Sequence, residues 1–188
     1  MRGWLSPDSC SVTKKGYQAN MSLWRLSFTV GTALLCGASA FAQAPTCNET
    51  LWKHVYNQSR LVVQQSCVTV TGTVVDATTN EKTHEKDGVR RETDGDSYGW
   101  LKLDQGQEKF INDANKQSQG GNLVFEIICQ NPTKQGDAKT TCTGLKNAVK
   151  VPSVGSHVAI TGTWVLDGEN GNGWFEIHPV TSITVVKQ

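Results

Sequence analysis

The chain has no surplus of basic residues. Eighteen Lys and Arg stand against seventeen Asp and Glu, a formal net of +1. The first 42 residues, with Arg2, Lys14, Lys15 and Arg25 against Asp8, carry +3, which leaves −2 for the remainder. Phosphate binding draws on a concentrated basic surface, so the composition gives no electrostatic reason to expect a nucleic-acid partner. The apolar run Leu26 to Leu35 is short and interrupted by Ser, Gly and Thr, below the ~20 residues that a membrane-spanning helix needs. No two cysteines have the C-x-x-C spacing of structural zinc sites. The histidines His54, His84, His157 and His178 lie in separate segments with no ligand spacing between them. What remains is an ordinary globular composition, 37% apolar and 19% charged over 188 residues. That is enough for one domain with a hydrophobic core and not comfortably for two.

Residues 21–44 read as a signal peptide. Met21 and Arg25 precede the apolar run, and Gly37-Ala38-Ser39-Ala40-Phe41-Ala42 closes it with an A-x-A cleavage pattern. Cys36 is no lipidation site on this reading, because bulky Leu35 precedes it. Residues 1–20 are polar and read as a start placed too early. The expected organisation is therefore 1–42 as mis-placed start plus signal peptide, 43–66 as an N-terminal helical segment, and 67–188 as the domain proper. The expected location is periplasmic or secreted, with no membrane association after cleavage.

Cleavage leaves Cys47, Cys67, Cys129 and Cys142. An even number in an oxidising compartment predicts disulfides. Of the three possible pairings, Cys47–Cys67 with Cys129–Cys142 is favoured, since each closes a short local loop. In the chain-entropy account such a loop contributes ~3 kcal/mol.

Leu51, Val55 and Gln58 share a helical face, with Trp52 and Tyr56 beside them, so a short helix is predicted over 48–61 with Asn48 or Thr50 as cap. After Cys67 the character changes to β-branched residues. Strands are predicted at 68–75, 98–103, 122–129, 157–166 and 174–186. The stretch 77–96 is predicted to be a loop or an extended hairpin tip, and 104–121 and 131–146 are predicted loops. Val70-Thr71-Gly72-Thr73-Val74-Val75-Asp76 echoes Ile160-Thr161-Gly162-Thr163-Trp164-Val165-Leu166-Asp167. Two strands with a central glycine suit a sheet that must curl shut. Five strands, long early connections and a tight final hairpin fit an all-β, five-stranded OB-like barrel behind a short helix. A sandwich, the alternative, usually needs about seven strands.

Three groups of residues can carry chemistry. Asp94-Gly95-Asp96 sets two carboxylates around a glycine before the second strand, which suits a hard cation or, more plainly, a polar turn. On the last strand Glu176 and His178 face one way while Phe175 and Ile177 face the other. In an OB barrel that strand lies beside the third, which brings Glu126 near. The set is a candidate metal or acid–base site, and the plainer reading is a histidine bonded to a carboxylate to pin the final strand. The third group is Tyr98, Trp100, Phe125, Trp164, Trp174 and Phe175. These are candidate stacking platforms for single strands or sugars, and more plainly core.

The Asp-Gly-Asp opening of the second strand resembles that of the thermonuclease family, which uses such an aspartate to hold calcium at a phosphodiesterase site. The resemblance stops there. Trp100-Leu101-Lys102-Leu103-Asp104-Gln105 lacks the arginine of that family, and with it the clamp on transition-state charge. As a set, Asp94-Gly95-Asp96-Ser97-Tyr98-Gly99-Trp100-Leu101, Gly121-Asn122-Leu123-Val124-Phe125-Glu126-Ile127-Ile128-Cys129, Val154-Gly155-Ser156-His157-Val158 and Glu176-Ile177-His178-Pro179-Val180 resemble a family of small exported microbial proteins. That family carries D-G-D-x-H-G-W-L, N-L-V-F-E-I-x-C and E-I-H-P-V motifs. The resemblance covers residues 67–186 and implies an OB-like barrel without implying an activity. Tyr98 stands where those proteins tend to have histidine, and a phenol with a pKa near ~10 is a poor replacement for a ligand or base.

The sequence therefore predicts a non-enzymatic exported binding or interaction module, with no catalytic set, metal or cofactor. Its partner would be a ligand or a protein, with Asp94, Asp96, Tyr98, Trp100, Glu126, Glu176 and His178 as candidate ligand-binding residues. Loop 77–97 and turn 167–173 are the expected contact surface. The rival is a metal-dependent hydrolase or thermonuclease-like phosphodiesterase using Asp94, Asp96, Glu126, Glu176 and His178.

Overall fold

Valine- and threonine-rich segments dominate the chain after Cys47 and set its mostly β character. The computed structural model describes residues 44–78, 88–168 and 173–187. The predicted start and signal peptide up to Ala42 lie outside the described residues, as do 79–87 of the stretch predicted at 77–96 and 169–172 of the predicted turn. Six strands are present: β1 Leu61–Val75, β2 Arg90–Arg91, β3 Ser97–Leu103, β4 Leu123–Ile127, β5 His157–Asp167 and β6 Trp174–Val185. They form one mixed sheet in the order β1-β5-β6-β4-β3-β2, and a further β1–β3 pairing joins five of them in a ring. All pairs are antiparallel except β4–β6, which is parallel.

Glycine explains how β1 can serve two neighbours. Gly72 is paired with Leu103 of β3 on one side and Val158 of β5 on the other. A Cβ built there would sit 2.3 Å from the Lys102 carbonyl oxygen, so only glycine allows this close crossing of backbones. Its echo, Gly162, lies between register shifts in the β5–β6 pairing, the position of a bulge that bends a strand.

The ring encloses Val70, Val74, Leu101, Leu123, Phe125, Ile160 and Ile177, all fully buried. Phe110 and Trp164 meet edge to face at 5.1 Å, and Trp164 lies 4.8 Å from Phe175. Phe125, Trp164 and Phe175 are thus core, as the plain reading of the aromatic set held. Two smaller apolar clusters lie apart from this one. Leu51, Val55, Leu61, Ile128, Cys129 and Val165 form one; Ala77, Tyr98, Trp100 and Val124 form the other. Both predicted disulfides are present, Cys47–Cys67 and Cys129–Cys142.

Three expectations need correction. The helix over 48–61 is instead two 3-10 segments, Glu49–His54 and Gln58–Arg60, separated by Asn57 in a left-handed conformation at φ 48°. The first strand begins at Leu61, not 68, because Leu61, Val62 and Val63 pair with Asp167, Leu166 and Val165; the boundary drawn at 66/67 falls inside β1. The predicted loop 104–121 holds a helix, α1 Asp113–Ser118, capped by a reciprocal Asn112–Asn115 box. It has no apolar face, so periodicity misses it. Asn115, fully buried, docks it by hydrogen bonds: its amide nitrogen donates to the Asn122 and Phe175 carbonyls, and its oxygen accepts from the Phe175 amide at 2.8 Å. Among the described residues no helix is long and apolar enough to cross a membrane.

Candidate functional site

Alternation along the strands turns one row of side chains away from the ring interior. Tyr98 on β3 is opposite Glu126 on β4, and Val124 of β4 lies beside Glu176 of β6. Glu176 is opposite Val165, and Trp174 is opposite Asp167, on β5. Polar residues that are distant in sequence thereby converge on one face.

At the centre is His178, with no solvent exposure. Its Nδ1 lies 2.8 Å from Glu126 Oε2 and 3.0 Å from Glu176 Oε1. Trp174 Nε1 donates to the other Glu176 oxygen at 3.2 Å. Burial alone would strip the imidazole of its proton, but Glu126 and Glu176 outweigh it and hold the pKa well above the ordinary value. Arg60, just before β1, is ion-paired to Asp167 and has Nη2 3.9 Å from Glu126.

Asp96 completes the cluster from the turn before β3. Asp94 accepts the Asp96 amide at 3.1 Å, and the Glu92 amide donates to the Asp96 carbonyl at 2.9 Å. Asp94 thus does what a turn aspartate does. Asp96 is only 2% exposed, and its Oδ1 accepts the Cys129 amide at 2.8 Å. Burial pushes its carboxyl up to about 7, with Asp94 and Glu126 adding to the rise and His178 opposing it. Single donor atoms of Asp96, Glu126 and His178 all lie within 4.8 Å of one another. Asp96 Oδ2 and His178 Nε2 are buried without a hydrogen-bond partner among the described residues.

Beside this cluster opens a cleft of about 300 Å³, walled by Arg60, Arg90, Glu92, Asp94, Asp167 and Trp174, with Tyr98, Gln119 and Glu126 also lining it. Glu126 therefore belongs to both the buried cluster and the cleft. Two clefts of about 570 and 560 Å³ flank the 129–150 segment, and neither gathers paired carboxylates or an aromatic ring; another, about 330 Å³ and mostly apolar, is lined by Cys47, Glu49, Trp52, Val63, Ser66 and Thr163. Neither a protein-family model, nor a curated protein, nor a solved structure matches this chain.

The structure brings Asp96, Glu126, Glu176 and His178 together and leaves Asp94 on the cleft wall. Tyr98 and Trp100 are buried in the outer apolar cluster. Their polar tips share Gln119 Oε1, to which Trp100 Nε1 donates at 3.0 Å and the Tyr98 hydroxyl also donates. The Arg90 guanidinium lies 4.9 Å from the centre of the Tyr98 ring and 5.5 Å from that of Trp100, a cation–π arrangement. Burial raises the Tyr98 pKa, which keeps the phenol neutral. Sequence reasoning missed Arg60, Arg90 and Gln119. An earlier start of the first strand would have placed Leu61 across from Asp167 and so brought the neighbouring Arg60 within reach of that carboxylate; nothing in the sequence singles out Gln119.

Proposed function

We propose that this chain is an exported, non-enzymatic binding module built on an OB-like barrel, which takes a small polar ligand in the cleft lined by Arg60, Arg90, Asp94, Glu126, Asp167 and Trp174. The OB-like reading is supported by the order of pairings. The ring runs β1-β5-β6-β4-β3 with one parallel pair, β4–β6, and a closing hairpin of β5 and β6. Two disulfides, the signal-like segment at 21–44 and the resemblance of the chain's motifs to those of small exported microbial proteins support export.

The observation that carries the binding reading is the make-up of the cleft. Glu92, Asp94, Glu126 and Asp167 face Arg60 and Arg90 there, with the Trp174 ring on its wall. Four carboxyl groups against two guanidinium groups disfavour phosphate, while carboxylates beside an indole suit a neutral polyhydroxyl or cationic compound. Thermal melting against neutral oligosaccharides, polyamines and single-stranded oligonucleotides tests this, since a ligand that binds only the native state raises Tm. A rise with a sugar or polyamine, lost in Trp174→Ala, is expected. A rise with oligonucleotides alone would overturn the ligand class, and no rise across the panel would replace the small ligand with a protein partner.

The metal-dependent hydrolase is a second reading, favoured by the convergence of Asp96, Glu126 and His178. Access speaks against it. His178 and Glu176 are wholly buried and Asp96 nearly so, whereas a hydrolytic centre must meet its substrate. Arg60, which reaches toward the cluster at Glu126, is held by Asp167.

A further inference from the structure

We propose that Asp96, Glu126 and His178 form a buried binding site for one divalent transition-metal cation of the zinc class. The role is structural, tying together the turn before β3, strand β4 and strand β6. This goes beyond the ligand-binding reading and does not depend on it.

Four observations converge. First, the distance condition is met: a ring nitrogen of His178 and one carboxylate oxygen each of Asp96 and Glu126 lie within 4.8 Å of one another. Second, the two polar atoms left without a partner in this neighbourhood, Asp96 Oδ2 and His178 Nε2, belong to side chains that are 2% and 0% exposed. A buried polar atom with no partner is costly, and a cation bound by Asp96 removes that cost at its Oδ2. Third, one imidazole nitrogen already faces the carboxylates. His178 Nδ1 lies 2.8 Å from Glu126 Oε2 and 3.0 Å from Glu176 Oε1, so once deprotonated it turns a lone pair toward a cation held among them. Fourth, charge is out of balance. Asp96, Glu126, Glu176 and Asp167 surround one imidazole and one guanidinium, that of Arg60.

The donor set selects the metal. An imidazole nitrogen with carboxylate oxygens suits zinc and its first-row neighbours, whereas calcium and magnesium take oxygen cages. Asp96 also lies within 4.8 Å of the Cys129 and Cys142 sulfurs, but these are joined in a disulfide and have no thiolate to give. Glu176 Oε1, 3.0 Å from the same His178 nitrogen and with its other oxygen bonded to Trp174, places a further carboxylate beside the cation.

The test uses the purified chain, stripped with chelator and titrated with Zn²⁺ and with Co²⁺. Expected are one equivalent bound, a rise in Tm, and a visible Co²⁺ absorption band. Asp96→Asn keeps the acceptor for the Cys129 amide and should weaken Zn²⁺ binding about tenfold or more, and Glu176→Gln by about 10–100-fold. Circular dichroism confirms that each variant is folded. Because the wild-type titration needs no variant, a misfolded mutant does not rescue the idea. Wild-type protein that takes up neither ion overturns it, as does Asp96→Asn binding Zn²⁺ as tightly as wild type. The metal titration is read without sugar or polyamine and the ligand panel without added metal, so the two proposals fail separately.

Discussion

His178 Nδ1 lies 2.8 Å from Glu126 Oε2, a contact between residues 52 positions apart that join the parallel strands β6 and β4. The imidazole has no solvent exposure and the carboxylate side chain almost none. Taking one partner from a buried pair strands the other, which costs about 3–5 kcal/mol. His178→Ala should therefore lower the urea unfolding free energy by about that amount. A loss under about 1 kcal/mol would show that Glu126 and Glu176 are well solvated instead.

Stability of the metal-free protein should fall as pH rises through the neutral range. Asp96 has an ordinary pKa of 3.8, raised to about 7 when folded. Between those values the unfolded chain sheds a proton that the native state keeps, so each rise in pH favours unfolding. His178, also raised in the native state, gives stability that is complete below about 6.5 and is lost as pH climbs through its folded pKa. Denaturant midpoints measured from pH 4 to 8 with chelator should decline. In Asp96→Asn the decline between pH 4 and 7 should flatten. A midpoint that climbs over this interval would contradict both shifts.

Gly72→Ala should destabilise the fold by about 1–3 kcal/mol or more, the range for overpacking. The added carbon would meet the Lys102 carbonyl oxygen and carbon at 2.3 and 2.9 Å, and backbone cannot swing away as a side chain can. The change should appear as a lower Tm with unchanged far-UV spectrum. Gly106→Ala is the control for added bulk: a methyl group there would meet no atom within 4 Å, though its φ of +88° carries a strain of its own.

Asn115→Ala should loosen α1 while leaving the ring intact. The amide makes four side-chain hydrogen bonds, to Asn112, Asn122 and twice to Phe175. Leaving buried backbone groups unpaired costs about 1–3 kcal/mol. Hydrogen exchange at the Phe175 amide should accelerate well beyond that at Val70. Equal acceleration at both would mean that α1 and the ring unfold as one unit.

Much of the sheet was legible because β-branched alternation is a local signal. The strands predicted at 98–103 and 157–166 differ from β3 and β5 by a residue at one end. The Glu126, Glu176 and His178 grouping could be reasoned from strand parity and one assumed pairing. What stayed hidden depends on contacts between distant segments. Val62 and Val63 fall between the predicted helix and the predicted strand until β5 is available to pair with them, and α1 is held by amide hydrogen bonds that carry no periodicity. Asp96 reads as a turn residue, and its turn bonds are real. Its burial beneath Cys129 follows from where β4 ends, which no local pattern encodes.

The double pairing of β1 also bears on the order of events as the chain folds. Thr69 on β1 bonds Thr161 on β5, 92 residues on, and the partners of Gly72 come from two separate later strands. The earliest strand to be made is thus among the last to be satisfied. Such high contact order places folding on the millisecond-to-second scale, and until residues 157–167 arrive, the part of β1 before Gly72 lacks its strand partner, a ribbon open to capture by a chaperone.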